Sequence, residues 1–274
     1  MAKQTSSQAI AFIGGGNMAR ALIGGLIHAG QAADRLTVAD PAAEQRQRLQ
    51  DDFGIAGAGS NAAACSDKQA VVLAVKPQVM DSVLAEIASA LDDDTVVISV
   101  AAGVSLDQLA ASLGRRRALV RAMPNTPALY GAGITGLAAS GHLSDAQRLL
   151  VEQIFTSAGE VTWISDESWM DAVTAVSGSG PAYFFALTEH LAKAGAAAGL
   201  PAELAALLAR QTAIGAGVML ARSDVDAGEL RRRVTSPGGT TAAALARFDE
   251  DGLALLVERA VDAAVQRGRK LGAS

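Results

Sequence analysis

The stretch Val234-Thr-Ser-Pro-Gly-Gly-Thr-Thr241 runs at once into the alanine-rich Ala242-Ala-Ala-Leu-Ala246, a tight turn feeding a helix. Ser236, Gly238 and Gly239 shape the turn, and Thr240 and Thr241 fall in the first helical turn. Free backbone N–H groups, two hydroxyls and the positive end of the helix dipole then converge on one point, a pocket for a small anion. Taken alone, the same residues also make an ordinary helix cap.

A second constellation, near the N-terminus, decides between these readings. The apolar run Ile10-Ala-Phe-Ile13 leads into Gly14-Gly-Gly-Asn-Met-Ala19, so that Gly14, Gly16 and the small Ala19 fit G-x-G-x-x-G/A. In that pattern the first glycine permits a tight turn, the second lets backbone approach a pyrophosphate, and the small third residue packs helix on strand. The next strand, 35–39, ends at Asp40, about where such folds place an acid on the adenosine ribose. Strand, turn, helix and acid together make a dinucleotide site.

These residues need a scaffold, and the alternation of patterns supplies one. Apolar runs at 70–75, 95–100 and 118–122 suit buried strands, separated by helical periodicity at 42–52, 77–90 and 105–113. The class is doubly wound α/β, in which ligands collect at the carboxyl ends of strands. Val75, Lys76 and Pro77, and the run 100–103, become cofactor contacts on that ground, although Lys76 also suits an exposed turn. After Trp163 no strand pattern is evident, and 166–176, 181–198, 201–222 and 252–270 read as helices. The expected division is a Rossmann-type dinucleotide-binding domain over 1–165 and an all-α domain over 166–274. Small residues on more than one face at 192–199 and 213–217 imply helices packed closely on both sides, as in an interleaved homodimer.

Composition narrows the function. The 274 residues carry a formal charge of −5, against a nucleic-acid binder, since phosphate backbones demand concentrated Lys and Arg. Half the residues are apolar and only 4% aromatic, so the core is built from small aliphatic side chains. Cys65 is the one cysteine, which excludes an intrachain disulfide and fits the cytoplasm. The first apolar run is too short and glycine-broken for a signal or membrane helix. No His, Cys and carboxylate spacing points to a metal. His28, His142 and His190 stand in no triad-like constellation, and Ser177-Gly-Ser-Gly180 lacks the G-x-S-x-G pattern after a strand.

Six motifs in register carry a resemblance over essentially the whole chain. Gly14 to Ala19, Ala74-Val-Lys-Pro77, Ala101-Ala-Gly103, Met123-Pro-Asn-Thr-Pro127, Ser177-Gly-Ser-Gly-Pro-Ala-Tyr183 and Ser236-Pro-Gly-Gly-Thr-Thr241 have the order and spacing of pyrroline-5-carboxylate reductases. The resemblance implies reduction of the cyclic imine Δ1-pyrroline-5-carboxylate to L-proline by hydride from a nicotinamide cofactor, with active sites at a dimer interface and dimers able to assemble further. It places Ile13, Gly14, Gly15, Gly16, Asn17, Met18, Asp40, Asn61, Ala74, Val75, Lys76, Pro77, Val100, Ala101 and Ala102 at the cofactor. It places Glu167, Thr240 and Thr241 at the substrate, with Val234, Ser236, Gly238 and Gly239 in the same loop. Arg233 stands where relatives carry an asparagine that reaches the partner's cofactor. The family implies NADPH, whereas the carboxylate of Asp40 repels a 2′-phosphate and favours NADH unless Arg46 and Arg48 offset it.

A protonated C=N bond is already electrophilic, so the reaction asks mainly for placement and little for a strong general acid. Thr241 would orient the ring nitrogen or relay a proton to it. Two other readings share the fold. β-Hydroxyacid dehydrogenases place a catalytic lysine four residues after the last glycine of their motif, a position held here by Phe184. A non-catalytic nucleotide sensor would not need the 236–241 turn.

Overall fold

The computed structural model describes residues 8–141 and 143–272, so His142 lies outside the described residues. In chain order the elements are β1 (Ile10–Ile13), α1 (Asn17–Ala29), β2 (Leu36–Ala39), α2 (Ala43–Phe53), β3 (Ala56–Gly57), α3 (Asn61–Cys65), β4 (Ala70–Leu73), α4 (Met80–Ile87), β5 (Val96–Ser99) and α5 (Leu106–Leu113). They continue as β6 (Leu119–Met123), β7 (Gly133–Ala139), α6 (Asp145–Thr156), β8 (Gly159–Trp163), α7 (Met170–Val173), α8 (Gly180–Ala197), α9 (Ala202–Arg222), α10 (Ala227–Arg233), α11 (Thr240–Glu250) and α12 (Leu253–Gly272). A π-helical turn, Thr174–Gly178, joins α7 to α8.

The strands form one sheet in the order β3-β2-β1-β4-β5-β6-β7-β8. All pairings are parallel except β6 with β7. Alternate residues of the central strands feed two separate cores, as a sheet covered on both faces requires. Phe12, Val72 and Ile98 pack with Leu22 and Ile23 of α1 and Ile154 of α6 on one face. Ile13, Leu73 and Val97 pack with Met80 and Leu84 of α4 and Leu109 of α5 on the other. The order reverses between β1 and β4, and at such a switch point a crevice opens at the strands' carboxyl ends.

Three elements carry little of the expected signal. β7 reads GITGLAA, too rich in glycine and alanine to look like a strand. β8 is a half-exposed edge strand, GEVTW. Between them α6 opens with a capping box, Ser144 accepting from the Gln147 N–H while the Gln147 side chain returns to the Ser144 N–H. That S-x-x-Q spacing was available in the sequence as a helix start. The expected single helix over 166–176 is instead a 3-10 turn at Glu167–Trp169, then α7 and the π turn.

The chain forms two compact units, one running to Gly178 and resuming at Ala264, the other Ser179–Ala263. The segment from 166 to 178 joins the first unit because it packs on the sheet's β6–β7 end. A Cβ at Gly136 of β7 would lie 2.7 Å from the Val173 side chain, and one at Gly178 would lie 2.6 Å from Met123 Cε. The end of α12 belongs there too, with Leu271 and Gly272 lying against Gly103. In the second unit α8 and α9 form a hairpin, Gly195 packing on Ala205 and Leu200.

Candidate active site

At the switch point the backbone of the glycine turn is tied on two sides. Gly14 N–H donates to the Ala39 carbonyl (2.7 Å) and Ala74 N–H to the Ile13 carbonyl (2.7 Å). Gly14 has φ +97°, and a Cβ there would lie 2.6 Å from the Ala74 oxygen, so no other residue fits. Gly16 differs in kind. Its φ of −70° suits any residue, and a Cβ would meet nothing within 4 Å. That open space lies at the N-terminus of α1, whose cap carries no side-chain acceptor and whose first turn has no acid. Unpaired N–H groups of Asn17 and Met18 and the helix dipole face outward there, fitting the pyrophosphate of a dinucleotide.

Asp40 anchors the loop. Its Oδ2 accepts from Gly15 N–H (2.7 Å) and its Oδ1 from Ala42 N–H (2.8 Å). Arg46, considered above as an offset to that carboxylate, donates to the Asp40 and Pro41 carbonyls. Val75, Lys76 and Pro77 follow β4, Lys76 exposed and Pro77 opening a 3-10 turn. Val100 N–H donates to the Leu73 carbonyl (3.1 Å), drawing 100–102 beside the same strand end. The first unit thus gathers 13–18, 40, 74–77 and 100–102 at one sheet edge. Asn61 heads α3 and holds the Glu86 carboxylate through its N–H (3.1 Å) and Nδ2 (2.8 Å). Cys65 is buried, and desolvation, with Glu86 adding and Lys68 opposing, pushes its thiol up to about 12, which makes it inert.

Glu167 opens the 3-10 turn after β8. Its Oε1 accepts from Leu106 N–H at the start of α5 (2.9 Å) and from Arg121 of β6 (3.0 Å). Asn125 lies in the motif Met123-Pro-Asn-Thr-Pro127, and its role is visible only in the folded chain. Asn125, 8% exposed, receives Ile134 N–H on Oδ1 (3.0 Å) and donates from Nδ2 to the Ser177 carbonyl (3.1 Å). It clamps the start of β7 to the π turn, and the amide was the only signal of it in the sequence.

The 234–241 group belongs to the second unit. Val234 ends α10, and Gly239 N–H donates to the Ser236 carbonyl (3.0 Å), closing the turn through Pro237 and Gly238. Gly239 is the N-cap of α11 with no side-chain cap bond and no acid in the first turn. No side chain caps the N–H groups of Thr240 and Thr241, which leaves them open to an anion as well as to solvent. Arg232 and Arg233 pair with Glu229 of their own helix.

A six-stranded parallel core in the order 3-2-1-4-5-6, with a glycine turn at its switch point and an acid after β2, defines an NAD(P)-dependent oxidoreductase. Residues 9–103 match a family described as NADP oxidoreductase, coenzyme F420-dependent, and 167–271 match one described as pyrroline-5-carboxylate reductase dimerisation. The pyrroline-5-carboxylate reductase of Pseudomonas aeruginosa is 48% identical over 97% of each chain. A solved structure of such a reductase from Coxiella burnetii is 38% identical with a TM-score of 0.93, covering 97% of this chain and 99% of that one. One from Plasmodium falciparum with NADP bound is 30% identical with a TM-score of 0.86, covering 98% and 99%. The chain belongs to the pyrroline-5-carboxylate reductase family.

Proposed function

We infer that the protein reduces Δ1-pyrroline-5-carboxylate to L-proline with NAD(P)H, the last step of proline biosynthesis. The observation that carries this reading is the uncapped Ser-Pro-Gly-Gly-Thr-Thr start of α11 in a chain that also holds a dinucleotide cradle. A bound nicotinamide would supply the hydride that adds to the imine carbon. The protein's own groups bind, orient and exclude water. The substrate carboxylate sits on the N–H groups of the 236–241 turn, where the α11 dipole and the Thr240 hydroxyl favour an anion. Thr241 directs its hydroxyl to the ring nitrogen as the protonated imine becomes a secondary amine, and Glu167 completes the substrate's polar contacts. No strong acid is needed, because the iminium brings its proton and placement supplies most of the rate. Phe184, where a hydroxyacid dehydrogenase needs a lysine, is consistent with an imine and not an alcohol as substrate.

The proposed functional division at 1–165 and 166–274 is supported on one side by the dimerisation match beginning at 167, whereas the compact units part after Gly178. The second part is a homodimerisation domain with sites completed across the interface. Support comes from α8 and α9, whose apolar side chains are exposed in the single chain, Phe184 at 65% and Phe185 at 67%. α9 is also long and apolar enough to span a membrane, with mean hydropathy 1.5, but a partner subunit covers such a face as well. A cytoplasmic setting fits the buried, unreactive thiol of Cys65. Both NADPH and NADH serve, because Asp40 narrows the advantage that family usage gives NADPH and Arg46 is engaged with backbone carbonyls.

The test is cofactor oxidation by purified protein given pyrroline-5-carboxylate, run in parallel with NADPH and NADH. Turnover is expected with both, and none with either would overturn the reading. In Thr241→Ala, turnover falls while cofactor affinity holds. Unchanged kinetics in that variant would remove Thr241 from the mechanism.

A further inference from the structure

Arg121 projects from β6, a central strand paired with β5 and β7, and is 8% exposed. Its Nη1 donates to Glu167 Oε1 at 3.0 Å, and its Nη2 lies 3.9 Å from Asp171 Oδ1. The same Glu167 oxygen accepts Leu106 N–H at 2.9 Å, at the N-terminus of α5. One carboxylate oxygen is therefore fixed by two donors from two different elements of the sheet layer. A buried guanidinium is a poor way to stabilise a fold, since an apolar residue of similar volume commonly does as well or better. What an ion pair of this kind supplies is geometry: a planar donor fork that holds an acceptor in one place. The space beside it is a cavity of about 250 Å³ lined by Gly103, Ser105, Asp171 and the end of α12, next to the loop 100–102 already assigned to the cofactor.

We propose that Arg121 is a positioning residue for the imine substrate: it acts through Glu167, holding that carboxylate in the orientation that substrate binding uses. The inference rests on the placement of Glu167 at the substrate and adds the group that sets it. A residue that merely stabilised the fold would lower the melting temperature and the concentration of active enzyme, leaving KM for the imine unchanged. A positioning residue changes KM for the imine and spares KM for the cofactor.

The test is a double-mutant cycle on the full chain with Arg121→Met, Glu167→Gln and both together. Arg121→Met raises the imine KM about tenfold, the worth of one charge-assisted hydrogen bond, with cofactor KM within about twofold of the parent. Glu167→Gln does likewise, and the double variant is no worse than the weaker single, because both changes remove one interaction. Arg121→Lys, which keeps the charge and loses the fork, recovers part of the imine KM and serves if the methionine variant fails to fold. An unchanged imine KM in both Arg121 variants beside a raised one in Glu167→Gln overturns the role of Arg121 alone. Multiplying effects in the double variant overturn it too. An unchanged imine KM in Glu167→Gln overturns the placement of Glu167 and the inference with it.

Discussion

Gly14 and Gly16 sit two residues apart in the same turn and answer to different constraints. At Gly14 a side chain meets the Ala74 carbonyl at 2.6 Å with φ +97°, so the fold itself requires glycine. At Gly16 the backbone is ordinary and the space is open, so the fold itself requires no glycine there, and the expected requirement is a bound dinucleotide. Gly16→Val is therefore expected to lower stability by only about 1 kcal/mol, the loss of a favourable helix N-cap, while cofactor affinity falls at least tenfold by titration. Gly14→Val unfolds the protein or lowers its stability by several kcal/mol, on the order of 3 or more. A Gly16→Val enzyme that binds cofactor normally would remove the pyrophosphate from that cradle. The glycine spacing made the turn legible in the sequence. The pattern also gave the two glycines different jobs, but not the contact that enforces the first, because it depends on Ala74, a residue brought there by the β1–β4 pairing. Asp40 was legible in the same way, as the acid after β2, but its bonds to Gly15 and Ala42 were not.

Elements were legible where apolar periodicity was strong, and β1, β2, β4, β5 and β6 all coincide with runs of buried aliphatic residues. β7 escaped because glycine and alanine hide it, and what fixes it is a side-chain clamp in place of strand propensity. Asn125 supplements the weak local preference with two part-buried hydrogen bonds, to Ile134 N–H and the Ser177 carbonyl. Asn125→Ala leaves both partners unsatisfied and is expected to cost about 2–4 kcal/mol, read as a lower denaturation midpoint with an unchanged slope. Asn125→Asp tests the direction, since it keeps the acceptor for Ile134 and loses the donor to Ser177. It is expected to cost at least as much as the alanine variant, since a carboxylate oxygen then faces the Ser177 carbonyl, and a neutral Asn125→Ala would show that the clamp contributes nothing.

For the whole molecule, the exposed apolar residues of α8 and α9 set the expectation. Leu187, Leu191, Leu207 and Ile214 are each half exposed in the single chain, beside a groove of about 610 Å³ lined by α8 and α9. Each such half-exposed side chain stands to gain about 1 kcal/mol, roughly half the value of full burial, and the proposed second copy would supply that burial. Leu191→Glu combined with Ile214→Glu is expected to shift the mass by light scattering from a dimer to a monomer and to abolish activity. A dimer that survives both changes would place the interface elsewhere. The helical character of this region was plain in the sequence, but its boundary was not. The segment 166–178 packs on the sheet, and α12 begins in one unit and ends in the other. That path bears on synthesis. Gly103, with φ +81°, is shaped to receive the backbone of Leu271 and Gly272. On the ribosome, the dinucleotide unit is made first yet lacks this contact until the entire second unit has been translated. Its closing is thus a long-range event, and the nascent N-terminal part waits, incomplete, for residues made more than a domain later.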